Sequence, residues 1–193
     1  MRDHNTYTMR AVSLALILII CAAHLVSCGK EREEPPAVNL TLDEELYGFH
    51  LGERLEHLRE ISQYRLEWEK LPEPRMGYRG EQYRLSGTLD GSHDIDHVRA
   101  SFFDGYLWEL IVYFRDTGYS TLRNTQRRLE QEYGVRPTSP DGAIEKTYKT
   151  YHFDLPEMSV TLCRFTKKPS DELYIQYMHK ELHRRLLERN KEE

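Results

Sequence analysis

The stretch Val98–Arg115 constrains the fold most, because it reads as two apolar strands joined by a turn of two residues. Asp104-Gly105 lies between Phe103 and Tyr106. That pair suits a type I′ turn, since glycine tolerates positive φ and aspartate does so better than most residues. A β-hairpin is therefore expected, and with it an antiparallel sheet. Side-chain phase sets a second condition. Val98, Ala100 and Phe102 share one phase and would meet Leu107, whereas Leu110, Val112 and Phe114 fall in the opposite phase. A bulge near Trp108-Glu109 brings all of them to one core face; without it the sheet is apolar on both sides here.

Around this hairpin the chain runs twice through the same order, a helix followed by strands. In the first passage Tyr47-Gly-Phe-His-Leu-Gly52 sets Gly48 and Gly52 around a short turn-like segment. Leu55, Leu58 and Ile61 then recur at helical spacing to about Gln63. Tyr64, Leu66 and Trp68 alternate toward the break at Pro72 and Pro74, and Gln82–Ser86 reads as a short strand among glycines. In the second passage Ser120 or Thr121 can cap a helix carrying Leu122, Leu129 and Tyr133 inward, with Gly134 and Pro137 as its stop. Three strands follow, Thr147–Phe153, Met158–Phe165 and Leu173–Met178, in a meander. The terminal segment His179–Asn190 places Leu182 and Leu186 on one side, with Leu187 at the stripe's edge. The fold class expected is α+β: tandem helix-then-antiparallel-sheet units over 47–117 and 118–193, helices packed on one face, and a C-terminal amphipathic helix.

Ahead of this domain, Ala11–Ala23 is apolar and uncharged. At about 13 residues it fits a signal-peptide core and falls short of the roughly 20 needed to span a bilayer. Arg10 precedes it, and Met9 is an alternative start to Met1. The residues Leu25-Val26-Ser27-Cys28 then resemble the lipobox of bacterial lipoprotein precursors. The resemblance implies removal of residues 1–27, covalent diacylglycerol on the Cys28 sulfur and acylation of its freed amine, with no other cofactor. Several acyl chains, each CH₂ contributing about 0.8 kcal/mol, make a lasting anchor. The alternative is an ordinary secretory signal with Cys28 incidental. Gly29 stands where inner-membrane lipoproteins have Asp, so by that resemblance the outer membrane is favoured, with the domain facing the periplasm. Residues 28–39, with Glu31-Arg-Glu-Glu-Pro-Pro-Ala37, read as a charged linker to a domain over 40–193.

Composition narrows the partners. The net charge is −5, and loss of Arg2, Asp3 and Arg10 with the signal makes it more acidic, which argues against nucleic acid or anionic headgroups as the main partner. Cys21 leaves with the signal and Cys28 takes lipid, so Cys163 stands alone and no internal disulfide forms.

Gly48-Phe-His-Leu-Gly52, Phe103-Asp-Gly-Tyr-Leu107 and Leu129-Glu-Gln-Glu-Tyr-Gly134 resemble phrases of small envelope lipoproteins of the BamE/SmpA type and of the tandem-repeat β-lactamase inhibitor proteins. That resemblance implies an antiparallel sheet with helices on one face and a role in binding protein. The chain departs from it in its two units and in lacking the inhibitors' paired cysteines. The expected function is thus a non-enzymatic binding or scaffolding role in the cell envelope with an envelope protein as partner. Its candidate surface is aromatic: Tyr106, Trp108, Tyr148 and Tyr151, whose rings combine contact area with a polar handle. Two alternatives are a cell-wall or glycan-active hydrolase using paired carboxylates, and a metal-binding lipoprotein centred on His93 and His97. His179 and His183, spaced i, i+4, are a further histidine pair, and a Cys163–His152 pair would be needed for a nucleophilic thiol.

Overall fold

The computed structural model of the protein describes residues 40–62, 65–72, 80–87, 94–139, 148–167 and 170–191. The lipobox with Cys28, the linker, Tyr64 and His93 lie outside those residues. Strands β1 (Glu45–Leu46) and β2 (Phe49–His50) pair antiparallel. Their turn, Tyr47-Gly48, has φ of 56° and 87°, the positive values of a type I′ hairpin turn. Next come helix α1 (Leu55–Ser62) and strands β3 (Leu66–Lys70), β4 (Glu81–Gly87), β5 (Ile95–Phe103) and β6 (Tyr106–Phe114). Helix α2 (Tyr119–Tyr133) precedes strands β7 (Tyr148–Asp154), β8 (Met158–Lys167) and β9 (Ser170–His179), and helix α3 (Lys180–Arg189) ends the described chain.

All seven longer strands form one antiparallel sheet in the order β3-β4-β5-β6-β9-β8-β7. The first passage supplies four neighbours, the second three, and β6 beside β9 joins them. The molecule is therefore mixed α+β, with the two helix-then-strands runs sharing a single sheet.

The hairpin at its centre follows the phase argument. Asp104 and Gly105 both have positive φ, 51° and 79°. Phe102 pairs with Leu107 and Ser101 with Glu109, which leaves Trp108 as the extra residue of β6. That bulge reverses the phase, and Val98, Ala100, Phe102, Leu107, Leu110, Val112 and Phe114 all enter the main core. A second irregularity at Asp96, between the pairs of Ile95 and His97, turns Ile95 into the same core.

Helix α1 buries Leu55 and Leu58 against this face, joined by Leu46 and Phe49 of the small hairpin. Its seat is fixed by Trp68, whose indole N–H donates to Ser62 Oγ at 3.1 Å, and by Arg59, whose guanidinium lies 4.8 Å from the Tyr83 ring centroid. Helix α2 buries Leu122 and Leu129 there and stops at Gly134, left-handed at φ 65°. Its start differs from expectation. Gly118 holds the N-cap position, and the Asp116 carboxylate accepts from the Gly118 amide at 2.9 Å and from the Thr121 hydroxyl, so Thr121 is held rather than capping.

Helix α3 is the expected C-terminal amphipathic helix. Strand β9 passes into it without a loop, His179 being its N-cap. Its buried Leu182 and Leu186 meet Leu40, Phe103 and Trp108 in a cluster apart from the main core. Phe103 and Trp108 point away from the core face by alternation, so α3 lies against the opposite face, at the hairpin end. His179 Nε2 lies 2.8 Å from the Leu40 carbonyl oxygen, and its Nδ1 accepts from the Leu182 amide. The Leu40 backbone also lies close on Gly52, where φ is 85° and any Cβ would overlap that same carbonyl. No described helix is long and apolar enough to cross a membrane.

Candidate functional site

In an antiparallel sheet, directly paired residues point to the same face, so the register arranges side chains in rows across the strands. On the face opposite the main core, three rows cross the molecule. The first contains His97, Tyr113, Tyr174, Cys163 and Thr150, one from each strand from β5 to β7 in sheet order. The second contains Arg84, Arg99, Ile111, Gln176, Thr161 and His152. The third contains Gln82, Ser101, Glu109, Met178 and Ser159. The buried sides of α1 and α2 belong to the core face and α3 lies at the hairpin end, so among the described residues no helix covers the middle of these rows.

The first row begins with three rings in contact. His97 stacks on Tyr113 with centroids 4.3 Å apart and planes 9° from parallel. Tyr113 leans on Tyr174 at 5.5 Å. The Tyr174 and Tyr148 hydroxyls both contact the sulfur of buried Cys163, and Tyr148 lies edge-on to Phe165 at 5.8 Å. Burial pushes the Tyr113 and Tyr174 phenols above their ordinary range, the Arg99 charge opposing this at Tyr113. The hydrogen bond with Cys163, then burial, raises Tyr148.

The third row is a hydrogen-bonded chain. Gln82 donates to Ser101 at 3.2 Å, Ser101 to Glu109 Oε2 at 2.8 Å, and Gln176 to Glu109 Oε1 at 2.5 Å. Glu109 is only 6% exposed, and both its oxygens are satisfied by neutral donors. Arg99, between the two rows, has its Nε buried with no hydrogen-bond partner. A buried carboxylate held by neutral donors and a guanidinium with an unused donor thus share one face with the stacked rings.

The aromatic residues expected from sequence separate. Tyr148, 39% exposed, is on this face. Tyr151 is on the other, packed against the main core, because three residues along a strand reverses the direction. Trp108 is buried, 4% exposed, and stacks on His183 of α3 at 5.6 Å, so the bulge makes it an anchor for α3 rather than an outward surface. Tyr106 is half-buried at the hairpin turn, its hydroxyl accepting from Arg54 at 2.9 Å with the guanidinium 5.2 Å from its ring centroid.

The histidines are similarly engaged. His97 Nδ1 lies 2.8 Å from Asp96 while its ring stacks on Tyr113. His179 is buried between the Leu40 carbonyl and the Leu182 amide, and His183 lies on Trp108. Among the described residues no group of three or more potential ligands converges. His152 pairs with Thr161, its Nδ1 3.1 Å from the hydroxyl, whereas Cys163 is enclosed by tyrosines. Arg99, Ser101, Glu109, Tyr113, Tyr174 and Gln176 were not singled out by the sequence reading. The signal for them was the phase opposite to the apolar one, readable once the bulge is placed. Compared with protein-family models, curated proteins and solved structures, the chain matches none.

Proposed function

We propose that this protein is a lipid-anchored cell-envelope protein that binds another protein through the outer face of its sheet, a scaffolding role rather than a catalytic one. Diacylglycerol and an N-acyl chain at Cys28 would hold it, on the lipobox resemblance, in the outer membrane facing the periplasm. Its two helix-then-strands runs, 47–117 and 118–193, are read as tandem units fused edge to edge, in keeping with the resemblance to BamE/SmpA-type and tandem-repeat inhibitor-like modules. The observation that carries the binding role is the row His97–Tyr113–Tyr174, stacked and flanked by buried polar groups. Rigid rings give large contact area at small entropic cost, and satisfied polar groups among them supply specificity.

A photo-crosslinking residue placed at Tyr148 or Thr161, in the native host, tests this against the same residue at Arg123, exposed on α2. One envelope protein captured from both face positions and not from Arg123 is the expected result. Equal capture from all three, or none, defeats the reading. In parallel, Cys28→Ser is expected to move the protein from the membrane to the soluble fraction.

A further inference from the structure

Resting on that reading, we propose that Arg99 and Arg84 form the point at which this face takes a carboxylate of its protein partner. The two arginines stand directly opposite each other in the β4–β5 register. Like charges so placed repel, and a sequence tolerates this where something else neutralises them. Three described carboxylates stand near them: Glu69, opposite Arg84 in the β3–β4 register, and two that are occupied. Asp96 is 4.0 Å from Arg84 Nη2 and already 2.8 Å from His97 Nδ1. Glu109 accepts from Ser101 and Gln176. Arg99 Nε is buried and has no acceptor among the described residues, and a buried donor on a charged group is costly to leave unpaired.

The chemistry of the occupant follows from these neighbours. A guanidinium presents a planar fork that matches the two oxygens of a carboxylate. Asp96 and Glu109 make the surroundings unfavourable for a dianion, so a singly charged carboxylate fits better than a phosphate. The rings of Tyr113 and Tyr174 border the arginine row and would exclude water around the ion pair, the condition under which such pairs matter most. The partner surface is therefore an Asp or Glu set among apolar side chains.

Side-chain NMR tests this on the full chain carrying Cys28→Ser, the Arg99 Nε–Hε signal being assigned by its loss in Arg99→Lys. The probes are capped tetraglutamate, capped tetraglutamine and inorganic phosphate at matched ionic strength. A saturable shift of that signal with tetraglutamate is expected, the affinity read from backbone amide shifts falling roughly 10- to 100-fold in Arg99→Gln, with no shift for tetraglutamine. An equal response to tetraglutamine or to sodium chloride, or tighter binding of phosphate, overturns the assignment. Should Arg99→Gln fail to fold, Arg84→Gln, at a 47% exposed side chain, carries the same comparison. Crosslinking at Tyr148 separates the two levels. Capture that persists undiminished in Arg99→Gln overturns the carboxylate site and leaves protein binding standing, whereas no capture in the wild type removes protein binding itself.

Discussion

Trp108 occupies the extra position of β6, and its indole lies against His183 while the chain on either side keeps its core phase. One residue thus sets both the phase of the central hairpin and the seat of α3. Truncating a buried tryptophan costs about 3–5 kcal/mol, and Trp108→Ala is expected to lose stability of that order in urea denaturation. The expected companion result is α3 undocking, seen as lost protection of the Leu182 and Leu186 amides in hydrogen exchange. A residue serving only as a partner contact would instead leave the denaturation midpoint where it was. Composition and spacing made Trp108 look like surface because a bulged residue breaks the alternation from which outward positions are read. Tyr148, in a regular stretch of β7, lies on the uncovered face, while Tyr151, three residues on, lies on the other. Burial of Glu109 was illegible for a different reason: it depends on Ser101 and Gln176, the latter 67 residues away in the chain.

Among the elements, α3 shows local electrostatics most clearly. Arg184 and Arg185 both hydrogen-bond the Glu181 carboxylate, holding its pKa down from 4.5 to about 2. A carboxyl lowered on folding adds stability above its unfolded value, and that contribution fades as pH falls from about 4.5 toward 2. Because the cluster is exposed, its contribution is only a few tenths of a kcal/mol. Glu181→Gln is therefore expected to melt slightly below the wild type at pH 6, with the gap closing by pH 2 in a calorimetric series. A gap unchanged across that range would assign the effect to packing. Elements with strong local signals were readable: the Asp104-Gly105 turn, the helix stop at Gly134, the terminal helix over 180–189. The start of α2 was not, because Asp116 serves the helix from outside its first turn. Nor was the face chosen by α3, since an amphipathic stripe says that a helix docks without saying on which side of a sheet.

At the scale of the whole molecule, the joint between β6 and β9 decides cooperativity. Leu110 and Val112 of β6 stand opposite Tyr177 and Ile175 of β9, all buried. Separating the passages would expose these residues and two bare strand edges. The full domain is expected to unfold in a single transition, and fragments 40–117 and 118–193 made separately are expected to lack native circular dichroism. A folded 40–117 fragment would establish two independent units instead. The order of helix then strands in each passage was visible in the sequence, but the edge by which the passages join was not, because pairing of β6 with β9 leaves no local mark. One further property follows from the way the chain enters this fold. Leu40 is gripped by the His179 imidazole and faces Gly52, and just beyond it the Leu42 amide donates to the Leu51 carbonyl at 2.8 Å. A pull on Leu40 from the N-terminal side is met at that grip and passes to His179, the last residue of β9. The grip works as a buckle does, tying the start of the described chain to the end of the strand that carries Tyr174, Gln176 and Met178.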